Sequence, residues 1–171
     1  MLRLVGPGWM PTTAYYKCRY EILRRPLGFE SGAEILEDDV DAIHAYVEID
    51  HEVVAVGRSH LIPEDSDGAQ TDFPDQSGPK TPPFSHLDEN HRPAIQIRQM
   101  GTLEAHRRQG YARKILNALE EASRAEFGAV CGFLQARQRA IPFYHSQGWV
   151  LIDEPYSIPN VGPHRSMMKR F

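Results

Sequence analysis

Arg107, Arg108 and Gly110 stand directly before a segment whose apolar spacing is typical of a helix. A helix normally begins at a Ser, Thr, Asp or Asn residue, whose side chain caps its free amides. The first turn of this segment is basic instead, which is unfavourable beside the positive end of a helix dipole. Free amides, the dipole and guanidinium groups together favour a bound anion. The sequence therefore predicts an anion site at residues 107–113.

The spacing of these residues excludes two familiar phosphate-binding motifs. The chain has no Gly-x-x-x-x-Gly-Lys-Ser/Thr sequence, and no Gly-x-Gly-x-x-Gly triplet followed by an acid. The motif that is present is Arg107-x-x-Gly110-x-Ala112, in which the two small residues let a ligand approach the backbone closely. A helix whose basic first turn is merely solvated remains the alternative, because motifs this short also occur by chance.

The elements around this motif predict a mixed α/β fold. Apolar periodicity, turn residues and glycine or proline breaks indicate helices at 15–25, 110–127 and 139–148, a hairpin at 43–62 that turns at Asp50-His51, and strands at 94–103, 129–136, 149–154 and 164–171. Strands that alternate with helices predict a sheet with a parallel crossover. Gly101, inside a strand, indicates a bulge or a close backbone approach.

Residues 63–93 separate two of the predicted strands. They contain six of the 13 prolines, and acidic residues outnumber basic ones seven to two. Such a composition does not form a regular buried element. We expect a flexible, solvent-exposed insertion within a single domain that spans residues 1–171, and a functional lid is the alternative.

Composition narrows the classes of function. The chain has 171 residues, a net charge of −4 and two cysteines, each in an apolar context that predicts a buried free thiol. A negative chain does not favour nucleic acid, and no apolar run reaches the ~18 residues of a membrane span. The eight histidines lack metal-ligand spacing. We expect a cytoplasmic protein with no metal site and no membrane or nucleic-acid partner.

A second motif, "AIPFYHSQGW" at residues 140–149, carries Tyr144 followed by Gly148 and an aromatic residue. Together with Arg107-x-x-Gly110-x-Ala112, it resembles the GNAT superfamily of N-acetyltransferases. The resemblance implies the GNAT fold, a mixed central sheet that is splayed between its fourth and fifth strands and flanked by helices. Residues 15–25 and 158–169 are also similar to the first helix and the last strand of the ElaA-like branch of that family.

The resemblance implies acetyl-coenzyme A as co-substrate, with its pyrophosphate on the loop and its thioester held by backbone amides of the strand. The cofactor-binding residues would then be Met100, Gly101, Thr102, Arg107, Arg108, Gln109, Gly110, Tyr111, Ala112 and Arg113. Tyr144 would give a proton to the leaving thiolate, because a phenol of pKa ~10 can share its proton with a thiolate of similar basicity. A buried packing role is the alternative for this tyrosine.

The incoming amine needs a base that accepts its proton. Family members often carry a glutamate early on the fourth strand, where this chain has Gln96 and Arg98. His164 is a candidate, because its titration range suits proton transfer; a structural histidine or an ordered water chain is the alternative. Arg137 stands where many relatives have an asparagine that contacts the pantetheine arm.

Three hypotheses of function follow. The first is acetyl transfer to a primary amine, in a small molecule or a peptide, by direct attack in a ternary complex. The second is a non-catalytic module of the same fold that senses acyl-coenzyme A; the missing acid on the fourth strand and the long insertion motivate it. The third is an unrelated phosphate-binding or nucleic-acid-binding domain, although the acidic balance argues against nucleic acid. Glu30, Glu37 and Asp38 could hold a cationic acceptor or form a solvated acidic loop. The oligomeric state stays open, with a homodimer as one option.

Overall fold

One sheet of seven strands organises the molecule, in the order β1-β2-β3-β4-β5-β7-β6. The computed structural model describes residues 1–74 and 78–171. The described strands are β1 Leu2–Val5, β2 Ile43–Ile49, β3 Glu52–Leu61, β4 Ala94–Thr102, β5 Cys131–Arg137, β6 Val150–Ile158 and β7 Gly162–Arg170, and the described α-helices are α1 Thr13–Leu23, α2 Tyr111–Phe127 and α3 Ile141–Ser146. The predicted mixed fold is confirmed.

The boundaries follow from local chemistry. Asp50 and His51 both adopt positive φ angles, 47° and 67°, as a tight hairpin turn between β2 and β3 requires. Thr12 caps α1 through its side chain, which accepts a hydrogen bond from the Tyr15 amide. Gly110 and Gly128 flank α2 in left-handed conformations, and Gly128 is the predicted helix end.

The two helices α1 and α2 cover opposite faces of the sheet. On one face, Ile115 and Leu116 of α2 pack among buried strand residues that include Ile95. On the other face, Tyr15 and Cys18 of α1 lie in a separate buried cluster. Because side chains alternate along a strand, β4 and β5 can present different chemistry to the two faces.

The parallel pair β4–β5 opens into a cleft. The strands are paired only where Ala94, Ile95 and Gln96 lie opposite Cys131–Phe133. Beyond Gln96 the strands diverge, so the edge of β4 that faces β5 has no strand partner there among residues 1–74 and 78–171. The predicted splay between the fourth and fifth strands is confirmed.

Two local irregularities lie on β4 beside this cleft. The β3–β4 register shifts between Val56 and Arg58, and Gln99 adopts a φ of 53°, which is the geometry of a bulge. Gly101 lies so close to α1 that an added Cβ would be 2.3 Å from Ile22 Cγ2. The sequence predicted a bulge or a close backbone approach at Gly101. The bulge lies at Gln99, two residues before Gly101, and the close approach to α1 lies at Gly101 itself.

The insertion at 63–93 is partly buried. Phe84 is 3% exposed and packs on Phe133 of β5, with ring centroids 5.0 Å apart. Thr81 is 5% exposed. A solvent-exposed segment is therefore the wrong description of these residues, because the face of β5 that carries Phe133 needs an apolar cover. As predicted, the described part of the insertion has no α-helix or strand; residues 75–77 lie outside the described residues.

A buried ion cluster joins α1 to the sheet. Asp39 accepts two hydrogen bonds from Arg19, at 2.8 and 2.9 Å, and one from Arg58 at 3.0 Å. The side chains of Arg19 and Arg58 are fully buried, and that of Asp39 is 1% exposed. Burial by itself raises the pKa of Asp39, but the hydrogen bonds and charge of Arg19 and the charge of Arg58 lower it overall.

We predict that Asp39→Ala destabilises the protein by about 3–5 kcal/mol, because two guanidinium groups then remain buried without their carboxylate. Chemical denaturation of the variant and of the wild type measures this difference. Asp41→Ala is the matched control, since Asp41 is exposed and its removal should change stability by less than about 0.5 kcal/mol. Equal losses in the two variants would show that the cluster does not stabilise the fold.

Candidate functional site

A cavity of about 400 Å³ occupies the cleft between β4 and β5. Of the residues predicted from the sequence, seven lie in its wall: Met100, Gly101, Thr102, Arg107, Ala112, Tyr144 and His164. Five others lie outside the wall, on the loop and first turn of α2: Arg108, Gln109, Gly110, Tyr111 and Arg113. The fold thus brings the two sequence motifs to one cleft.

The start of α2 has the geometry of an anion site. Gly110 precedes the helix with a φ of 80°, and no side chain caps the helix amides. The amide of Lys114 donates to the Gly110 carbonyl at 3.1 Å, so the amides of the three residues between them have no intrahelical acceptor. Arg108 also has a positive φ, 62°. Successive amides in such a loop converge on a concave anion-binding surface.

Arg107 links this loop to the cleft. Its Nε donates to the Thr102 carbonyl at 3.3 Å, which holds the guanidinium at the end of β4. Two side-chain oxygens of β4, Gln99 Oε1 and Thr102 Oγ1, are buried and have no hydrogen-bond partner among the described residues. Buried polar groups are normally paired. A ligand that enters from α2 and runs along β4 could pair with these two oxygens. It could also pair with the unpaired β4 edge and the free amides of the loop.

Tyr144 projects from α3 towards β4. It is 9% exposed, its ring meets those of Phe143 and Trp149 edge-on, and its hydroxyl lies 3.9 Å from Met100 Sδ. Burial raises the pKa of Tyr144 to about 12, although the charge of Arg137 lowers it. The phenol therefore keeps its proton at neutral pH, which suits a proton donor and not a base.

The orientation of Tyr144 depends on a buried polar contact. Trp149, which meets the Tyr144 ring, is fully buried and donates its indole N–H to Glu120 Oε1 at 2.9 Å. Glu120 Oε2 accepts from Lys169 Nζ at 2.6 Å. An acid of α2 thus satisfies the one polar atom of the tryptophan and fixes the ring behind Tyr144.

His164 lies on β7, opposite Arg137 of β5. Its Nδ1 is 2.8 Å from the Gly162 carbonyl; a carbonyl only accepts, so Nδ1 carries the proton in the neutral ring. Nε2 then keeps a lone pair, and the side chain lines the cavity. Burial lowers the pKa of His164, the Gly162 carbonyl raises it and Arg137 lowers it further. The net direction is downward, so the neutral form dominates at neutral pH.

The cleft has a second, polar side that sequence analysis did not predict. Gln96 donates from Nε2 to Gln135 Oε1 at 2.6 Å and Gln135 in turn donates to Thr81 Oγ1 at 3.2 Å. The insertion therefore forms a wall of the cavity through Asp72, Phe73, Pro79 and Thr81. Its sequence shows only a proline-rich, acidic composition and does not predict this position in the cavity wall.

Arg98, which replaces the acid expected on the fourth strand, has two carboxylate partners. Its Nη1 donates to Asp38 Oδ2 at 2.8 Å, and its Nε donates to Asp72 Oδ1 at 3.0 Å. Asp38 also pairs with Arg58 at 2.9 Å. Asp38 is therefore engaged by arginines, and the interpretation of Glu30, Glu37 and Asp38 as a cation site is wrong for Asp38. A buried arginine on a strand requires counter-charges, but the sequence does not show where they come from.

Other expectations concern groups outside the cleft. Cys18 and Cys131 are buried free thiols, as predicted, and burial raises their pKa values to about 12 and about 11. Across residues 1–74 and 78–171, no group of three or more His, Cys, Asp or Glu side chains could hold a metal ion. No helix in the same ranges is both long and apolar enough to cross a membrane.

The fold and this cleft define a class of protein, and a family model identifies it. The model of the acetyltransferase (GNAT) family matches residues 12–149, so the chain belongs to that family. Two curated relatives come from Bacillus subtilis (strain 168): the uncharacterized N-acetyltransferase YjcF is 34% identical over 73 residues, or 43% of this chain and 51% of the relative, and YitI is 33% identical over 76 residues, or 44% and 50%. The chain spans about half the length of these curated relatives.

Solved structures share the fold at low sequence identity. Escherichia coli ElaA has a TM-score of 0.62 and 16% identity, with 99% of this chain and 100% of ElaA covered. An aminoglycoside 6'-N-acetyltransferase complexed with coenzyme A has a TM-score of 0.65 and 11% identity, with 99% and 96% covered. At these identities the likeness concerns the fold alone, and the ElaA-like branch stays a prediction.

We predict that Gly110→Val weakens coenzyme A binding about tenfold or more. The left-handed conformation of Gly110 directs the loop amides towards one anion, and valine disfavours that conformation. Gly128→Val is the matched control. Both glycines have positive φ values, and neither has an atom within 4 Å of an added Cβ, so each substitution strains the backbone by about 1–2 kcal/mol. Titration calorimetry should show the affinity loss only for Gly110→Val; equal affinities in the two variants would contradict an anion site at this loop.

Proposed function

We propose that this protein is an acetyl-coenzyme A-dependent N-acetyltransferase that acetylates a primary amine by direct attack in a ternary complex. The observation that carries the proposal is the unpaired edge of β4 in the cleft, which lies between an anion-binding loop and a buried tyrosine hydroxyl. Membership of the GNAT family supports it. We treat acetyl-coenzyme A as a substrate, and we expect no metal, membrane or nucleic-acid partner and a cytoplasmic location.

The chain offers a binding surface for each part of this substrate. The amides at the start of α2, helped by Arg107 and Arg108, suit the pyrophosphate group. The free edge of β4 suits the pantetheine arm, which can hydrogen-bond to a strand much as an added peptide does. The residues that we assign to these contacts are Met100, Gly101 and Thr102 on β4, and Arg107, Arg108, Gln109, Gly110, Tyr111, Ala112 and Arg113 on the loop and helix.

Between heavy atoms, the reaction forms one bond and breaks one; one proton leaves the nitrogen and one joins the sulfur. The nitrogen of a neutral amine attacks the acetyl carbon, a C–N bond forms and the C–S bond breaks. Backbone amides of β4 near Gly101 can stabilise the negative charge that develops on the carbonyl oxygen. Tyr144 gives its proton to the departing sulfur, the amine nitrogen loses one proton, and exchange with water returns a proton to Tyr144. The products are the N-acetylated amine and the free thiol.

His164 is the side chain that we assign to the proton of the amine. It is neutral at neutral pH, its Nε2 lone pair is available, and it lines the same cavity as Tyr144. Arg98 cannot serve as a base, and its partners Asp38 and Asp72 are neutralised by it. Among the described residues that line the cavity, the one carboxylate is paired with an arginine, which also favours a second candidate function, the sensing of acyl-coenzyme A without turnover.

We predict that Tyr144→Phe lowers kcat about 100-fold or more, because the thiolate then leaves without a proton donor. Affinity for coenzyme A should change little, since the ring remains. Thiol release with a panel of primary amines measures the rate. Tyr20→Phe is the control, because the Tyr20 hydroxyl bonds to the Phe29 carbonyl at 3.1 Å and does not line the cavity. Undiminished turnover in Tyr144→Phe would remove this residue from the mechanism, and no turnover in the wild type would favour the sensor.

We predict that kcat/KM falls as the pH drops through the pKa of His164, with a midpoint below the ordinary histidine value of ~6.5. The direction follows from burial, which disfavours the charged ring, so the neutral base persists to lower pH. A weakly basic acceptor amine keeps the substrate itself neutral across the range. His164→Gln should remove this limb of the profile and His86→Gln, at an exposed histidine, should keep it. A limb that survives His164→Gln would assign the base elsewhere.

A further inference from the structure

The charge of the cavity does not match a simple cationic substrate. Among the described residues, five arginines and one acid line it: Arg24, Arg98, Arg107, Arg137, Arg139 and Asp72. The chain as a whole has a net charge of −4, so this cationic lining is local. An alkylammonium group would be repelled by it. Arg98 is paired with Asp72, and the assignment above gives Arg107 to the pyrophosphate. The remaining arginines therefore need another explanation.

Arg24 ends α1 and is 3% exposed. Its Nε donates to the Ala33 carbonyl at 2.9 Å, and its Nη2 donates to the Asp72 carbonyl. No carboxylate in residues 1–74 or 78–171 forms an ion pair with it. Nη1 has no hydrogen-bond partner in those ranges and is not among the atoms shut off from solvent. The side chain lines the cavity, which makes Nη1 the candidate donor to an occupant.

Arg137 ends β5 on the same side of the cleft. Its Nη2 lies 3.5 Å from the Leu23 carbonyl, directly beside Arg24 in the chain. It too has no carboxylate partner within the part of the chain that the structure describes. Burial lowers the pKa values of both arginines; the charge of Asp72 raises both, while Arg137 lowers the pKa of Arg24 further, and the net direction is downward for each. Asp72 is committed to Arg98 and so compensates these two cations only in part, which favours an anion that joins them.

We infer that the acceptor is an amine that also bears an acidic group, a carboxylate or a phosphoryl group, and that Arg24 and Arg137 bind this group in the cavity. The inference rests on the proposed function, because it names the substrate class of the same site. Guanidinium groups suit both anions, since each presents paired donors to two oxygens. The arms of the experiment below distinguish carboxylate from phosphoryl.

Such a substrate reconciles the cavity with the chemistry. The anionic group attracts the molecule into a positive site that a simple amine would avoid. Once the substrate is bound, nearby positive charge disfavours the ammonium form and so favours the neutral nucleophile. Asp72 does not compete for the ammonium strongly, because Arg98 engages it; burial raises the pKa of Asp72, but the charge and hydrogen bonds of Arg98 bring it down to about 2.

The other role open to Arg137 is a contact with the pantetheine arm. The two roles differ in the Michaelis constant that they control. A contact with the acidic group changes the KM of the acceptor, whereas a contact with the arm changes the KM of acetyl-coenzyme A. Arg137 is half-buried and makes one long hydrogen bond, so its substitution should leave the fold intact. Arg24 is buried, so its variant retains the charge.

The experiment compares matched amines in the full chain: β-alanine with its amide, glycine with its amide, and O-phosphoethanolamine with ethanolamine. We expect the acid-bearing member of at least one pair to have a kcat/KM about 10- to 100-fold higher, the range that a charge-assisted contact supplies. In Arg137→Gln this preference should be lost because the KM of the acid-bearing acceptor rises. Arg137→Lys should restore part of the preference. Arg24→Lys should weaken it, and Arg124→Gln, at an exposed arginine of α2, should preserve it.

Binding to the complex with coenzyme A separates this inference from the proposed function. No acetyl group is present in that complex, so calorimetry with the same amines reports affinity without turnover. Acid-dependent affinity that is lost in Arg137→Gln supports the anion site even if no amine is acetylated, in which case the proposed function alone fails. Equal or better kcat/KM and affinity for the neutral amines would overturn the inference. It would also be overturned if Arg137→Gln raised only the KM of acetyl-coenzyme A.

Discussion

The structure depends on the point at which β4 and β5 stop pairing. Three residues of each strand are in register, at Ala94–Gln96 and Cys131–Phe133, and beyond them the backbone of β4 has lost its partner on one side. An unpaired strand edge is costly in a closed interior and useful at a binding site. The bulge at Gln99 and the close packing of Gly101 on Ile22 hold this edge in place.

The bulge at Gln99 interrupts the alternation of side chains along β4, so Arg98 and Met100 face opposite sides and divide the cleft into two chemical halves. Met100 faces α2 and the Tyr144 hydroxyl, whereas Arg98 faces α1 and the insertion. The first half is apolar and carries a protonated phenol. The second half is polar and positively charged. A thioester can therefore lie between a proton donor on one side and an approaching nucleophile on the other, which is the arrangement that direct acetyl transfer requires.

Sequence patterns predicted the parts of the fold that rest on local rules. The hairpin followed from alternation around Asp50-His51, and α2 followed from its apolar stripe between two glycines. The divergence of β4 from β5 was predicted only from the resemblance to a known family, because no local sequence pattern encodes a loss of pairing between strands. The contacts of the polar half could not be predicted from the sequence, because they join residues far apart in the chain. Arg98 donates to Asp38 and Asp72, and Arg137 Nη2 lies near the Leu23 carbonyl. The insertion was misjudged for the same reason: its contact with Phe133 is non-local.

Hydrogen exchange of backbone amides, with and without coenzyme A, tests the central claim most directly. If the free edge of β4 and the start of α2 together bind this molecule, coenzyme A should slow exchange at Thr102, whose amide points away from β3, and at Tyr111, Ala112 and Arg113. Amides of the β2–β3 hairpin serve as the internal reference and should not change. Saturating coenzyme A with unaltered exchange at both sites would contradict the account.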